Sequence, residues 1–286
     1  MMIRTLILST SLIAFGACQS NAAEEATVVT QVAEAPIGAN AVKDTMKDAM
    51  KDGMKDSMAA DIGPNAAFNA FLSKYVVEQD GINLVRYADV SAEDKASLDG
   101  YIEGLSVAGA PSGSKEEIMA YWFNLYNAKT VSLILDNYPL TSIKKISGPW
   151  KKKRLTVAGV PMSLNNIEHD TVRAAYDEPR VHYAFNCASI GCPNLKSSAW
   201  EAATLDADLT QAAKDFVASP RGISVDERGN IDASSIFKWY KKDFGGSEQA
   251  ILNHVAQYAT GAQKAAIQNN NKIDDFSYNW SLNIAK

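Results

Sequence analysis

Cysteine and histidine are the residues in this chain with the most chemistry to offer, and both are few. The cysteines are Cys18, Cys187 and Cys192; the histidines are His169, His182 and His254. A thiol attacks carbonyl carbon as its thiolate, which needs a nearby base, usually histidine, together with an orienting group and donors for the developing oxyanion. The candidate set for this requirement is Cys187 as nucleophile, His169 as base and Asn186 or Asn127 as polar stabiliser, as in a thiol hydrolase or acyltransferase. Two other readings of Cys187 stay open. In an oxidising compartment it pairs with Cys192, five residues on. Otherwise it is a buried thiol that packs as a small hydrophobe.

The positions of these residues depend on their elements. Val181 to Cys187 reads as a strand, and on a regular strand residues five apart face opposite ways. His182 then shares a face with Ala184 and Asn186. Cys187 sits with the core-like Val181, Tyr183 and Phe185, unless the loop from Ala188 to Pro193 turns its thiol into a cleft. His169 falls on a helix expected from Leu164 to about Tyr176, with Leu164, Ile167, Thr171, Val172 and Ala175 as the apolar face. At 100° per residue His169, Arg173 and Tyr176 lie on a polar flank, and Glu168 points about 100° from His169, as an acid, a metal ligand or a partner for Arg173 or Arg180. His254, among Ile251, Val255 and Tyr258, is a core-edge histidine. Asn124 and Asn127 are three apart on a buried helix and share a face. Buried amides need partners, so they either bond the backbone of neighbouring loops or orient a ligand or the base. Asn124, Asn127, Glu168, Arg173 and His182 are therefore the candidate binding residues. No HExxH or CxxC spacing points to zinc, and no glycine-rich phosphate loop points to a nucleotide, so no metal or cofactor is expected.

The elements around these residues alternate helices with short strands. A helix is expected from Pro64 to Tyr75 and another from near Ala92 past Leu105. A long one runs from Lys115 to about Asn137, with Ser114 and Glu117 as a capping-box signature, and it is apolar almost all round, as a central buried helix must be. Hairpins are expected at Arg154–Val157 with Val160–Ser163, and at Gly222–Val225 with Asn230–Asp232. Helices return at Ser234–Phe244, Glu248–Tyr258 and Ala262–Asn269. The fold class is α+β: one helix-rich domain, 63–286, with a long buried central helix and short antiparallel strands.

Composition supports a sizeable core, with 47% hydrophobic and 21% charged residues in 286. A net charge of −5 leaves no electrostatic footprint for nucleic acid. The basic run Lys151–Arg154 reads as a solvated strand or loop edge. At the N-terminus, Arg4 and the apolar run Leu6 to Ala14 read as a signal segment, 1–18, too short to span a membrane. Phe15-Gly16-Ala17-Cys18 fits a lipobox, making Cys18 a lipidation site and the membrane a partner through a lipid anchor; Ser20-Asn21-Ala22 offers an ordinary cleavage site instead. Either places the mature protein outside the cytoplasm, on the periplasmic side of the envelope. Residues 19–62, with the repeats KDTM, KDAM, KDGM and KDSM, read as a low-complexity tether.

Five motifs occur in order: YWFNLYNA (121–128), SLNNIEHDTVR (163–173), VHYAFNCASIGCPNL (181–195), SIFKWYKKDF (235–244) and YNWSLN (278–283). Together they resemble the family catalogued as domain of unknown function 547, over about Phe68 to Asn283. The resemblance implies an uncharacterised exported bacterial member. Its Asn-Cys segment and upstream Glu-His pair have the flavour of papain-like and transglutaminase-like thiol enzymes, a likeness of fold and site rather than of activity. By that analogy the substrates are peptides, amides or cell-wall fragments. Relatives elsewhere can lack the second cysteine; this chain has both, which keeps open the alternative of a non-catalytic envelope binding domain stapled by Cys187–Cys192.

Overall fold

The computed structural model describes residues 63–285, which fall within one unit, Ala59–Lys286. The expected signal segment, Cys18 and the KDxM repeats lie outside the described residues.

Three helices build the first core: α1 (Ala66–Tyr75), α2 (Ala92–Ala108) and α3 (Lys115–Leu135). Helix α3 begins with the anticipated capping box, Ser114 and Glu117 each bonding the other's backbone N–H. It is buried on nearly every side, because α2, the segment around 164–175 and the stretch around Trp200 all pack on it. Phe123 lies edge-on to both Phe185 and Trp200, which locks those two distant segments to the helix.

A second apolar cluster involves α4 (Leu205–Ala218), strands β5 (Ile223–Val225), β6 (Ile231–Ser234) and β7 (Asp275–Ser277), and helices α5 (Ser235–Trp239), α6 (Glu248–Val255) and α7 (Gly261–Gln268). Chain segment 181–185 joins the two cores: Tyr183 packs in the second cluster, whereas Val181, Ala184 and Phe185 pack in the first.

The fold is α+β, with helices and short, mostly antiparallel strands, as expected. Hairpin β3 (Leu155–Val157) and β4 (Val160–Met162) turns at Ala158-Gly159, both left-handed with φ of 47° and 81°, the backbone that a two-residue hairpin loop requires. The hairpin β5–β6 also forms where its strands were read. The structure adds to or departs from the expected elements in several places. Strand β7 joins β6 in parallel, so the sheets are not purely antiparallel. An unanticipated hairpin, β1 (Val76–Gln79) with β2 (Ile82–Val85), follows α1 directly. The helix expected to reach Phe244 stops at Trp239. Val181–Cys187 is not a strand: Pro179–Tyr183 is a 3-10 turn and the rest is loop. The opposite-face argument for His182 and Cys187 therefore does not apply, because it assumed a period of two.

Candidate functional site

The segment after Ser163 is helical, but Asn166–Val172 winds as a π-helix. The reason is visible in the apolar spacing. Ile167 and Val172 are both fully buried. In an α-helix, residues five apart lie about 140° from one another, so only one could face the core. Widening the turn to i→i+5 puts both inside, and the Arg173 N–H bonds the Glu168 carbonyl accordingly. Ser163 and Asn166 close the entry by exchanging hydrogen bonds of 2.9 and 3.1 Å. The same unwinding brings Glu168 and His169 to one cavity, rather than 100° apart on separate faces.

Arg173 does not pair with Glu168. It clasps Asp243 through two parallel bonds, Nε to Oδ2 at 2.6 Å and Nη2 to Oδ1 at 2.9 Å. Arg180 pairs with Glu178 and Asp206. The third guanidinium donor of Arg173, Nη1, reaches His169 Nδ1 at 2.6 Å. Arginine can only donate, so Nδ1 accepts and the ring proton of neutral His169 resides on Nε2. That second nitrogen has no hydrogen-bond partner among the described residues. Asp243 also accepts from His182 Nε2 at 2.7 Å. Hydrogen bonds from His182 and then Arg173 hold the Asp243 carboxyl well below the usual carboxylate range. Burial outweighs the pull of Asp243 and lowers His182, which stays neutral and stacks on Tyr240 at 4.0 Å. Tyr240 in turn donates to Glu168 Oε1 at 2.6 Å, and Tyr126 of α3 donates to Oε2 at 3.3 Å. Burial first, then the Glu168 charge, pushes both phenols far up, so they remain donors.

The sulfur side is fixed by asparagines. Asn127 grips the Ala184 carbonyl and the Asn186 N–H at 2.9 Å each. Asn186 holds the Pro193 carbonyl at 2.8 Å and the Ala188 N–H at 2.9 Å, across the 187–192 loop. Asn124 does the same for both backbone groups of Trp200. These three amides serve the backbone, and none lines the cavity. Ala188 takes a left-handed φ of 57°, the sharp bend that follows Cys187. Cys187 and Cys192 form a disulfide with Cα atoms 6.2 Å apart. The C-terminal segment straps this loop: Ile190 and Gly191 N–H bond the Ser281 and Asn279 carbonyls. Gly191 is required there, since a Cβ would meet Asn279 N and the Tyr278 ring at 2.9 Å. The strap brings Tyr278 Oη to 2.9 Å from Cys187 Sγ and 3.0 Å from Cys192 Sγ.

The result is one half-open cleft of about 210 Å³. Its polar floor is Glu168, His169, His182 and Asn165; the two cysteines form one wall; Trp150, Trp239, Tyr240, Tyr278 and Trp280 supply aromatic surface. Trp239, Tyr278 and Trp280 contact one another at 4.5 to 5.6 Å between centroids. Thus Cys187, His169, His182 and Glu168 do converge, although no hydrogen bond joins Cys187 to either histidine. His254 stands apart in the second core, bonded to Tyr183 Oη at 2.9 Å. Sequence reasoning missed Tyr126, Tyr240, Asp243, Tyr278 and the tryptophans as site residues, although all five motifs contain a residue of the cleft or its network. Among the described residues no group of acidic, cysteine and histidine side chains is arranged to hold a metal ion, and no helix is long and apolar enough to cross a membrane.

Comparison with curated proteins and with solved structures finds no match. One family model does match, over residues 111–217, a stretch that holds Glu168, His169, His182 and both cysteines but ends before Asp243 and Tyr278. Its description is "Protein of unknown function, DUF547", and this central part of the chain is similar to that family.

Proposed function

We propose that this chain is a cell-envelope binding domain that takes an amide-bearing ligand, a peptide or peptide-containing cell-wall fragment, into the Glu168 cleft. The observation that carries this reading is the pairing of an acceptor with a donor on one aromatic-walled floor. Glu168 spends one bond per oxygen on Tyr240 and Tyr126, which leaves carboxylate lone pairs for a ligand N–H. Neutral His169 offers Nε2–H for a ligand carbonyl, because Arg173 holds its other nitrogen. The surrounding aromatic faces suit the apolar parts of such a ligand. Export, and anchoring through a lipidated Cys18, belong to the same proposal.

The test is a tryptophan-fluorescence titration with soluble peptides released by digesting peptidoglycan. Saturable quenching is expected, with Glu168→Gln weakening the affinity at least tenfold while the thermal midpoint stays within a few degrees. No saturable change in the parent protein, or equal affinity in the variant, overturns the reading.

A second reading is the thiol hydrolase or acyltransferase, favoured by Cys187, His169 and His182 opening on one cleft. With the Cys187 sulfur bonded to Cys192, it requires prior reduction. Amide or ester hydrolysis that appears only with a reductant and vanishes in Cys187→Ser would support it; no turnover after reduction would end it.

A further inference from the structure

The two sulfurs of the cleft wall are not equivalent. Cys187 is partly exposed, whereas Cys192 is buried, at 2%. Cys192 Sγ accepts the backbone N–H of Cys187 at 2.9 Å and lies 3.0 Å from Tyr278 Oη. A disulfide sulfur carries no hydrogen, so the phenol is the donor in these contacts. Burial raises Tyr278 far above its ordinary value, which keeps that proton in place. Behind the loop stands Arg221, bonded to the Ile190 carbonyl and to Asn194 Oδ1. It has no carboxylate partner within ion-pair distance among the described residues, and its Nε is buried without a partner. Burial lowers its pKa to about 10, so it is cationic at neutral pH, and its charge acts on Tyr278.

We propose that Cys187–Cys192 is a thiol–disulfide exchange centre in which Cys187 is attacked from the cleft and Cys192 departs as the thiolate. The co-reactant is a dithiol, on a peptide or protein. One of its thiolates attacks Cys187 Sγ; a new S–S bond forms as the Cys187–Cys192 bond breaks, and the electron pair goes to Cys192. That thiolate is received by the Cys187 N–H and the Tyr278 O–H, which are already in place before the bond breaks. The second thiolate of the dithiol then attacks its own sulfur in the mixed disulfide. The partner leaves as a disulfide, oxidised by two electrons, and Cys187 leaves as a thiolate that takes a proton from water. A stabilised leaving thiolate speeds exchange, and hydrogen bonds to a charged acceptor are the strong ones. The aromatic mouth of Trp239, Tyr278 and Trp280 favours a partner with an apolar residue beside its thiol. This inference does not depend on what else the cleft binds.

The experiment uses the full chain carrying Cys18→Ser, so that Cys187 and Cys192 are the remaining cysteines. Substoichiometric reduced glutathione, acid quenching and peptide mapping locate the first mixed disulfide without altering either sulfur. The adduct is expected on Cys187. The same chain with Tyr278→Phe should open about tenfold more slowly, the loss of one hydrogen bond to a developing charge. A disulfide that resists glutathione until the chain is denatured, an adduct on Cys192, or an unchanged rate in Tyr278→Phe would each overturn the proposal.

Discussion

Two sets of polar side chains, one buried and one buried only in part, behave differently. The asparagines of α3, Asn124 and Asn127, are each 2% exposed and spend both donor and acceptor on backbone groups of segments that carry no regular structure. Glu168 and His169 instead bond other side chains, Tyr126, Tyr240 and Arg173, and keep capacity facing a cavity. The first set substitutes for the sheet or helix partners that loops 184–193 and 199–200 lack. The second set is held in place by a network and left incomplete on one side. Burial alone does not separate structural from functional polarity; the identity of the bonding partner does.

The largest expected effect breaks the first set. Asn127→Ala strands the Ala184 carbonyl and the Asn186 N–H, both in the interior. At about 1–3 kcal/mol for each buried group left unsatisfied, the loss is about 2–6 kcal/mol, and the 187–192 loop loses its anchor. Glu168→Gln keeps an acceptor for one tyrosine and should cost about 1 kcal/mol or less. Urea unfolding of both variants checks the contrast. A Glu168→Gln variant that loses as much stability as Asn127→Ala would erase the distinction.

The next effect concerns acid. His254 lies in the second core with its Nε2 hydrogen-bonded to Tyr183 Oη, and burial lowers its pKa from 6.5 to about 4. His182 is lowered by burial too. Between the unfolded and folded values the unfolded chain binds more protons, so stability is full above about pH 6.5 and falls as the pH drops toward 4. For His254 the loss is up to about 3 kcal/mol. Asp243, whose folded pKa is depressed, adds a further loss only below its unfolded value near 4. Thermal midpoints measured from pH 7 to 4 should decline for the parent and decline less for His254→Gln. A flat profile for the parent would show that neither histidine is buried neutral.

Much of the first core was legible because its signals are local. The capping box at Ser114 and Glu117 and the nearly all-round apolar run define α3, and burial shows that Asn124 and Asn127 need partners while leaving open whether these are backbone groups or a ligand. Helix α4 was legible and overlooked: Leu205, Leu209, Ala213, Phe216 and Val217 recur at helical spacing and are all buried. The site was less legible for two physical reasons. A period of 3.6 was imposed on 164–176, where the spacing of Ile167 and Val172 calls for a wider turn, and a period of two on 181–187, where Pro179 starts a tight turn instead. The partners of Glu168 and His182 come from 42 to 72 residues away, through Tyr126, Tyr240 and Asp243, and no periodicity encodes such distances. Their trace was the motifs YWFNLYNA and SIFKWYKKDF, which carried the resemblance without marking the site.

The smallest effect on stability sharpens the second set. Trp239 ends α5 and is 50% exposed, a large apolar surface left in water at the cleft mouth. Its contacts are with Tyr278 and Trp280, at 4.9 and 5.6 Å between centroids, rather than with the deep core. Removing it opens no sealed cavity, so Trp239→Ala should change unfolding free energy by about 0.5 kcal/mol or less. The same substitution removes an aromatic wall that a bound ligand would cover, which should weaken peptide binding several-fold, measured by calorimetry because the variant lacks one of the reporting tryptophans. A backbone-anchoring residue such as Asn127 should show the reverse ratio of stability loss to binding loss. If Trp239→Ala unfolds the protein readily, or binds as the parent does, the exposed ring is packing for the C-terminal strap, and the cleft's recognition surface must be sought on the floor around Glu168 and His169 alone.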